Sequence, residues 1–243
     1  MSCLNRLAVL LVLLCGVCRP VSAEEDPIFK AIENNDMAGV KKMVEERPEV
    51  LTAKGKYDEA LPLHWAAIKS RKEMLALFLE NKAEVDAKDK TGKTALHHSA
   101  FSGGNDCIAV LLENNADIEA QDNQGNTPLL IAATSIGSEM TAFLIEKKAN
   151  VAAKDKEGQT ALHKAAYTGN KAILEVLLAH NADVAEKDEK ENTALHVAAK
   201  SNEKDAVAAL LKGKADPAAK NKDGKTPLDL ATDPAVKELL QKK

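Results

Sequence analysis

From Thr160 onward, short apolar and polar stretches follow one another in a fixed order. The run Ala161-Leu-His-Lys-Ala-Ala-Tyr-Thr168 holds good helix formers and ends at Gly169. The segment from Asn170 to His180 then carries Ile173, Leu174, Val176, Leu177 and Leu178, the apolar stripe of a helix buried on one side. After Asn181 the chain turns polar through Asp183, Glu186, Lys187 and Asp188 and leads into Thr193. Thr160 in front of a helical run predicts an N-cap, and Gly169 behind it a left-handed stop. Pro62, Pro128 and Pro227 stand directly after three further cap positions, where a missing N–H costs nothing. Each such unit is a predicted helical hairpin.

The unit repeats. Thr94, Thr127, Thr160, Thr193 and Thr226 are 33 residues apart at each step, and Leu61 stands one step upstream. A fixed period of that length predicts a stack in which each unit contacts mainly its neighbours. The string after the cap appears as Leu61-Pro-Leu-His-Trp-Ala-Ala67, Thr94-Ala-Leu-His-His-Ser-Ala100, Thr127-Pro-Leu-Leu-Ile-Ala-Ala133, Thr160-Ala-Leu-His-Lys-Ala-Ala166 and Thr193-Ala-Leu-His-Val-Ala-Ala199. An Asp-x-x-Gly-x-Thr string precedes it at Asp89, Asp122 and Asp155, with Glu191 replacing the glycine in the next copy and Asn221 opening the last. Asn115-Ala-Asp117, Asn181-Ala-Asp183 and Lys214-Ala-Asp216 follow the second helix. These strings resemble the ankyrin repeat over residues 26–243. The resemblance implies an all-α solenoid of six to seven helix-turn-helix units with short β-hairpin-like loops, in units of about 26–60, 61–93, 94–126, 127–159, 160–192, 193–225 and 226–243. The first and last units are degenerate and read as caps. Glu191 in a glycine position predicts a looser junction there.

The first residues change the picture of where such a stack would work. Arg6, the apolar run Leu7 to Val17 and Val21-Ser-Ala23 have the form of a secretory signal, cut after Ala23 to leave 24–243 as one domain. Eleven helical residues reach only about 16 Å, short of a bilayer core of about 30 Å, which disfavours the alternative of an N-terminal membrane anchor. A lipid anchor at Cys15 or Cys18 is a second alternative, disfavoured by Leu14 and Val17 in front of those cysteines. The expectation is an exported chain, periplasmic or secreted, monomeric and without membrane insertion after cleavage. Losing Arg6 and Arg19 would take the net charge from −4 to −6. Opposite charges are interspersed and aromatics make up only 3 %, which argues against a nucleic-acid partner.

Candidate chemistry reduces to little. His64, His97, His163 and His196 share one position three residues past the cap, and the resemblance implies hydrogen bonds between adjacent hairpins. Helices packed about 8–10 Å apart cannot bring such histidines to one metal, whose Zn–N bonds are about 2 Å. His98 and His180 lack a cysteine or paired carboxylate at ligand spacing. Asp-rich loops such as 183–188 are interleaved with lysines and recur with the turn, which disfavours calcium. Cys107 falls in the apolar pattern of a helix and reads as a small buried hydrophobe. No catalytic, metal or cofactor site is expected.

A partner surface is therefore the functional expectation. The resemblance implies protein binding on the concave side, through hairpin tips and first helices. Seven residues past the cap stand Ile68, Phe101, Thr134, Tyr167 and Lys200; at the tips stand Lys90, Lys93, Asn123, Asn126, Glu157, Gln159, Lys190 and Asn192, with Tyr57 in the first loop. Ile68, Phe101 and Tyr167 are the expected apolar anchors, and Trp65 is expected in the core. The alternative is a structural or self-associating envelope protein without a separate ligand.

Overall fold

The computed structural model describes residues 26–56 and 58–241. The signal-like segment and Tyr57 lie outside them. The helices come in pairs: α1 (Pro27–Glu33) and α2 (Met37–Glu46), α3 (Pro62–Ile68) and α4 (Lys72–Glu80), α5 (Ala95–His98) and α6 (Gly104–Glu113), α7 (Pro128–Ala132) and α8 (Glu139–Glu146). Then follow α9 (Ala161–Thr168) and α10 (Lys171–Ala179), α11 (Ala194–Ser201) and α12 (Lys204–Lys212), and α13 (Pro227–Leu230) and α14 (Pro234–Gln241). No strand occurs among the described residues. First helices pack on first helices and second on second, which makes two layers of one solenoid.

The repeated residues explain the pairs. Thr160 is extended at φ −90°, ψ 172°, and Gly169 closes α9 in the left-handed region at φ 72°. Asn170 caps α10 by accepting from the Ile173 N–H at 3.2 Å. Between the layers lie the apolar positions of each second helix, such as Leu75, Ile108, Leu174 and Val207, all fully buried. The Ala-Ala pairs Ala66-Ala67, Ala132-Ala133, Ala165-Ala166 and Ala198-Ala199 are also sealed, because small side chains let neighbouring first helices approach closely. Trp65 and Cys107 are buried as well.

One repeat departs from this plan. α5 is a single turn that continues as a π-helical turn, Ser99–Gly103. Here Ser99 replaces the first alanine of the pair, and its buried hydroxyl finds no hydrogen-bond partner.

Tight hairpins join the units. Asp89, Asp122, Asp155 and Asp188 each accept, through Oδ1, the N–H groups two and four residues on, at 2.8 to 3.0 Å. The tips are laced backbone to backbone: Lys90 N–H to Asp58 O, Asn123 to Thr91, Lys156 to Gln124, Glu189 to Glu157 and Lys222 to Lys190. At Gly125 a side chain is doubly excluded, by φ 80° and by the Lys156 nitrogen, 2.9 Å from where a Cβ would stand. Glu191 takes the same left-handed turn at φ 56° and keeps the turn bond to Asp188 O at 2.9 Å.

Candidate protein-binding surface

The histidines are structural. The Nδ1 of His97 accepts from the Thr94 N–H at 3.1 Å and from its hydroxyl at 2.9 Å, so Nε2 carries the proton and donates to Asn126 O at 2.9 Å. His163 and His196 repeat the arrangement toward Asn192 O and Lys225 O, and His64 donates to Ala87 O. The rings of His97, His163 and His196 thus close capping boxes with their threonines, that of His64 accepts only the Leu61 N–H, and each ties its helix to a loop further along the stack. Burial pushes His64 and His97 down to about 4. All four stay neutral near pH 7.

His98 has a partner that its spacing did not reveal. Its Nε2 lies 2.8 Å from Oδ2 of the buried Asp89. Burial alone would raise that carboxyl, but bonds from His98, the Thr91 hydroxyl and the Lys93 N–H hold it well below the usual carboxylate range. Lys164, at the matching place two repeats on, reaches Asp155 Oδ2 at 2.5 Å. Where the helix offers Ile131 or Val197 instead, Asn126 Nδ2 reaches Asp122 Oδ2 at 3.1 Å and Asn192 Nδ2 reaches Asp188 Oδ2 at 3.1 Å. The last hairpin has the neutral Asn221 and needs no such donor.

That accounting corrects the tip residues. Asn126 is buried and Asn192 half-buried, and both amides serve their own turns; Asn192 Oδ1 also accepts from Asn221 Nδ2 at 2.8 Å. Neither is a free tip group. Lys90, Asn123, Glu157 and Lys190 are exposed, Lys93 and Gln159 half-exposed. Asn123 Nδ2 spends one donor on Lys90 O at 3.0 Å.

The column seven residues past the cap divides too. Tyr167 is 52 % exposed, and Lys200 is also exposed. Ile68 and Phe101 are half-buried rather than open, and Phe101 sits in the π-helical turn. Thr134 is half-buried, and its hydroxyl donates to Ile131 O at 2.8 Å. Two apolar groups escaped the sequence reading. Ile131 lies half-exposed four residues past its cap, and Ile136 is 76 % exposed where the matching repeat has Gly169. A bulky residue in a helix-stop position was the available signal. Among the described residues, no group of His, Cys, Asp or Glu is placed to hold a metal ion, and no helix is long and apolar enough to cross a membrane.

Stacked helical hairpins, tied by capping histidines and laced tips, define the chain as a repeat solenoid with a laterally extended surface. The family model for ankyrin repeats matches residues 28–122, 116–188 and 182–243. The chain belongs to the ankyrin-repeat family. Among solved structures it is similar to the ankyrin repeat domain of Bcl-3, described as a unique member of the IkappaB protein family. That match has a TM-score of 0.75 and 26 % identity and covers 91 % of this chain and all of that one. It also resembles the human ASB11 ankyrin repeat domain, with a TM-score of 0.79 and 24 % identity over 88 % of this chain and 96 % of that one; at that identity the likeness shows the fold alone. No curated protein sequence matches significantly.

Proposed function

We propose that this chain is a non-enzymatic protein-binding scaffold that works outside the cytoplasm and engages its partner on the concave side. The observation that carries the reading is Tyr167. It sits one residue past a sealed Ala165-Ala166 pair yet is 52 % exposed, on a first helix whose remaining apolar side chains are buried. An exposed aromatic on a rigid helix costs stability nothing to keep available and is the residue type that dominates interface energy. Compartment follows from the Arg6 to Ala23 pattern.

Tyr167→Ala, in chain captured with its partner from the exported fraction, is expected to lower affinity at least ten-fold with an unchanged melting profile. Unchanged affinity would remove the concave surface from the reading. Finding an intact N-terminus in the cytosolic fraction would remove the compartment.

A further inference from the structure

The two edges of the stack are fastened differently. At the hairpin edge the third repeat (94–126) and the fourth (127–159) are tied several times. His97 Nε2 donates to Asn126 O, the Lys156 N–H to Gln124 O at 3.0 Å and the Asn150 N–H to Glu119 Oε1 at 2.7 Å. At the opposite edge, where first helices turn into second ones, the other junctions are bridged as well. Lys69 pairs with Glu33 at 3.2 Å, Ser70 Oγ donates to Ser102 O at 2.9 Å, Asn170 Nδ2 to Ile136 O at 2.8 Å and Asn202 Nδ2 to Thr232 Oγ1 at 2.9 Å. The Glu203 carboxylate packs against Gly169. Between the third and fourth repeats, no hydrogen bond or ion pair among the described residues crosses this edge.

The turns on either side of that junction are also the irregular ones. α5 and α7 have four and five residues, against seven or eight in α1, α3, α9 and α11. Gly104 and Gly137 stand where Asp36 and Asn170 accept from the first turn of their second helices. In the regular turns the N–H at this place donates back to the first helix, as Arg71 does to Ala66 O at 2.8 Å and Asn170 to Ala165 O at 3.2 Å. In the fourth repeat Ala132 O takes the Ser135 N–H instead, the Gly137 N–H makes no hydrogen bond among the described residues, and Ile136 is left 76 % exposed. Inside, each side of the junction buries a hydroxyl without a partner: Ser99 in the π-helical turn, and Thr141 in α8, against which that turn packs. Regular repeats place an alanine and an aliphatic residue there, as at Ala165 and Leu174. Opening to water removes the cost of an unpaired hydroxyl.

We infer that the solenoid hinges between its third and fourth repeats, with the laced hairpin edge as pivot and the helix-turn edge opening. The glycines and the π-helical turn absorb the change in backbone angles. The movement tilts Tyr167 and the repeats behind it against Phe101, so the curvature of the inner surface is adjustable at one place. It is a property of the free chain, whatever the partner.

The test measures distances between nitroxide pairs by pulsed electron resonance in the full chain with Cys3→Ser, Cys15→Ser and Cys18→Ser, Cys107 being buried. Glu73→Cys with Ala172→Cys spans the junction at the helix-turn edge. Ala172→Cys with Lys237→Cys lies beyond it on the same edge, and Lys90→Cys with Glu189→Cys spans it at the hairpin tips; all five positions are exposed. The first pair is expected to give a distance distribution at least twice as wide as either of the others. Ser99→Ala with Thr141→Val, which removes both hydroxyls, is expected to narrow it to their width. Three equal widths would overturn the hinge. A broad first pair unmoved by the double variant would overturn its place between these repeats.

Discussion

Replacing His98 by alanine isolates the rule that every hairpin aspartate needs a second donor. Asp89 has a side chain only 1 % exposed, and its Oδ1 is fully engaged by the turn, so Oδ2 depends on His98 Nε2 at 2.8 Å. Withdrawing a donor from a buried carboxylate costs about 1.5–3 kcal/mol. The neighbouring hairpins supply the rescue. In them an asparagine four residues after the aspartate puts Nδ2 3.1 Å from Oδ2, and in this hairpin that place is Lys93. Lys93→Asn should therefore be close to neutral alone, while Asp89 is already satisfied, and should return about 1 kcal/mol in the His98→Ala background. Urea unfolding followed by the single tryptophan, Trp65, reads the adjacent repeat. Hydrogen exchange at the Thr91 and Lys93 amides reads the turn itself, which matters because stacked repeats can open separately. A loss below 0.5 kcal/mol for His98→Ala, or an equal effect of Lys93→Asn in both backgrounds, would refute the reasoning.

Glu191→Gly should stabilise by about 1 kcal/mol, raising Tm by about 2–4 °C, because the left-handed turn at φ 56° suits glycine. The exposed pair with Lys187 that it removes contributes little, and an unchanged Tm would show the turn to be unstrained. Thr141→Val should also stabilise by about 1 kcal/mol, since the Thr141 hydroxyl is buried without a partner where other repeats have Leu75, Ile108 or Leu174; a lower urea midpoint would mean that the hydroxyl is bonded. Acid should weaken the stack. His64 and His97 are neutral in the fold with values near 4, so the unfolded chain takes up protons from pH 6.5 downward and each costs up to about 3 kcal/mol by pH 4. Equal urea midpoints at pH 7.5 and 5 would contradict this.

The fold was legible because a solenoid writes its rule once per repeat. Cap, helix and stop at Thr160 to Gly169 reappear at every step of 33, and local chemistry is enough to read each one. The partner surface was less legible, for a physical reason: exposure in a stack depends on the next repeat, not on local spacing. Ile68, Phe101, Thr134 and Tyr167 share one position in the pattern, but only Tyr167 is open, while Phe101 is drawn into a π-helical turn and Thr134 bonds its own helix. Asn126 and Asn192 look like polar tips until the buried aspartates are counted. The missing signal was a correlation within the chain. An aspartate is followed by a donor at the fourth residue, Asn126 or Asn192, or at the ninth, His98 or Lys164, and where Asn221 removes the charge neither place holds such a donor to its side chain. Residues bound by that exchange answer to the fold.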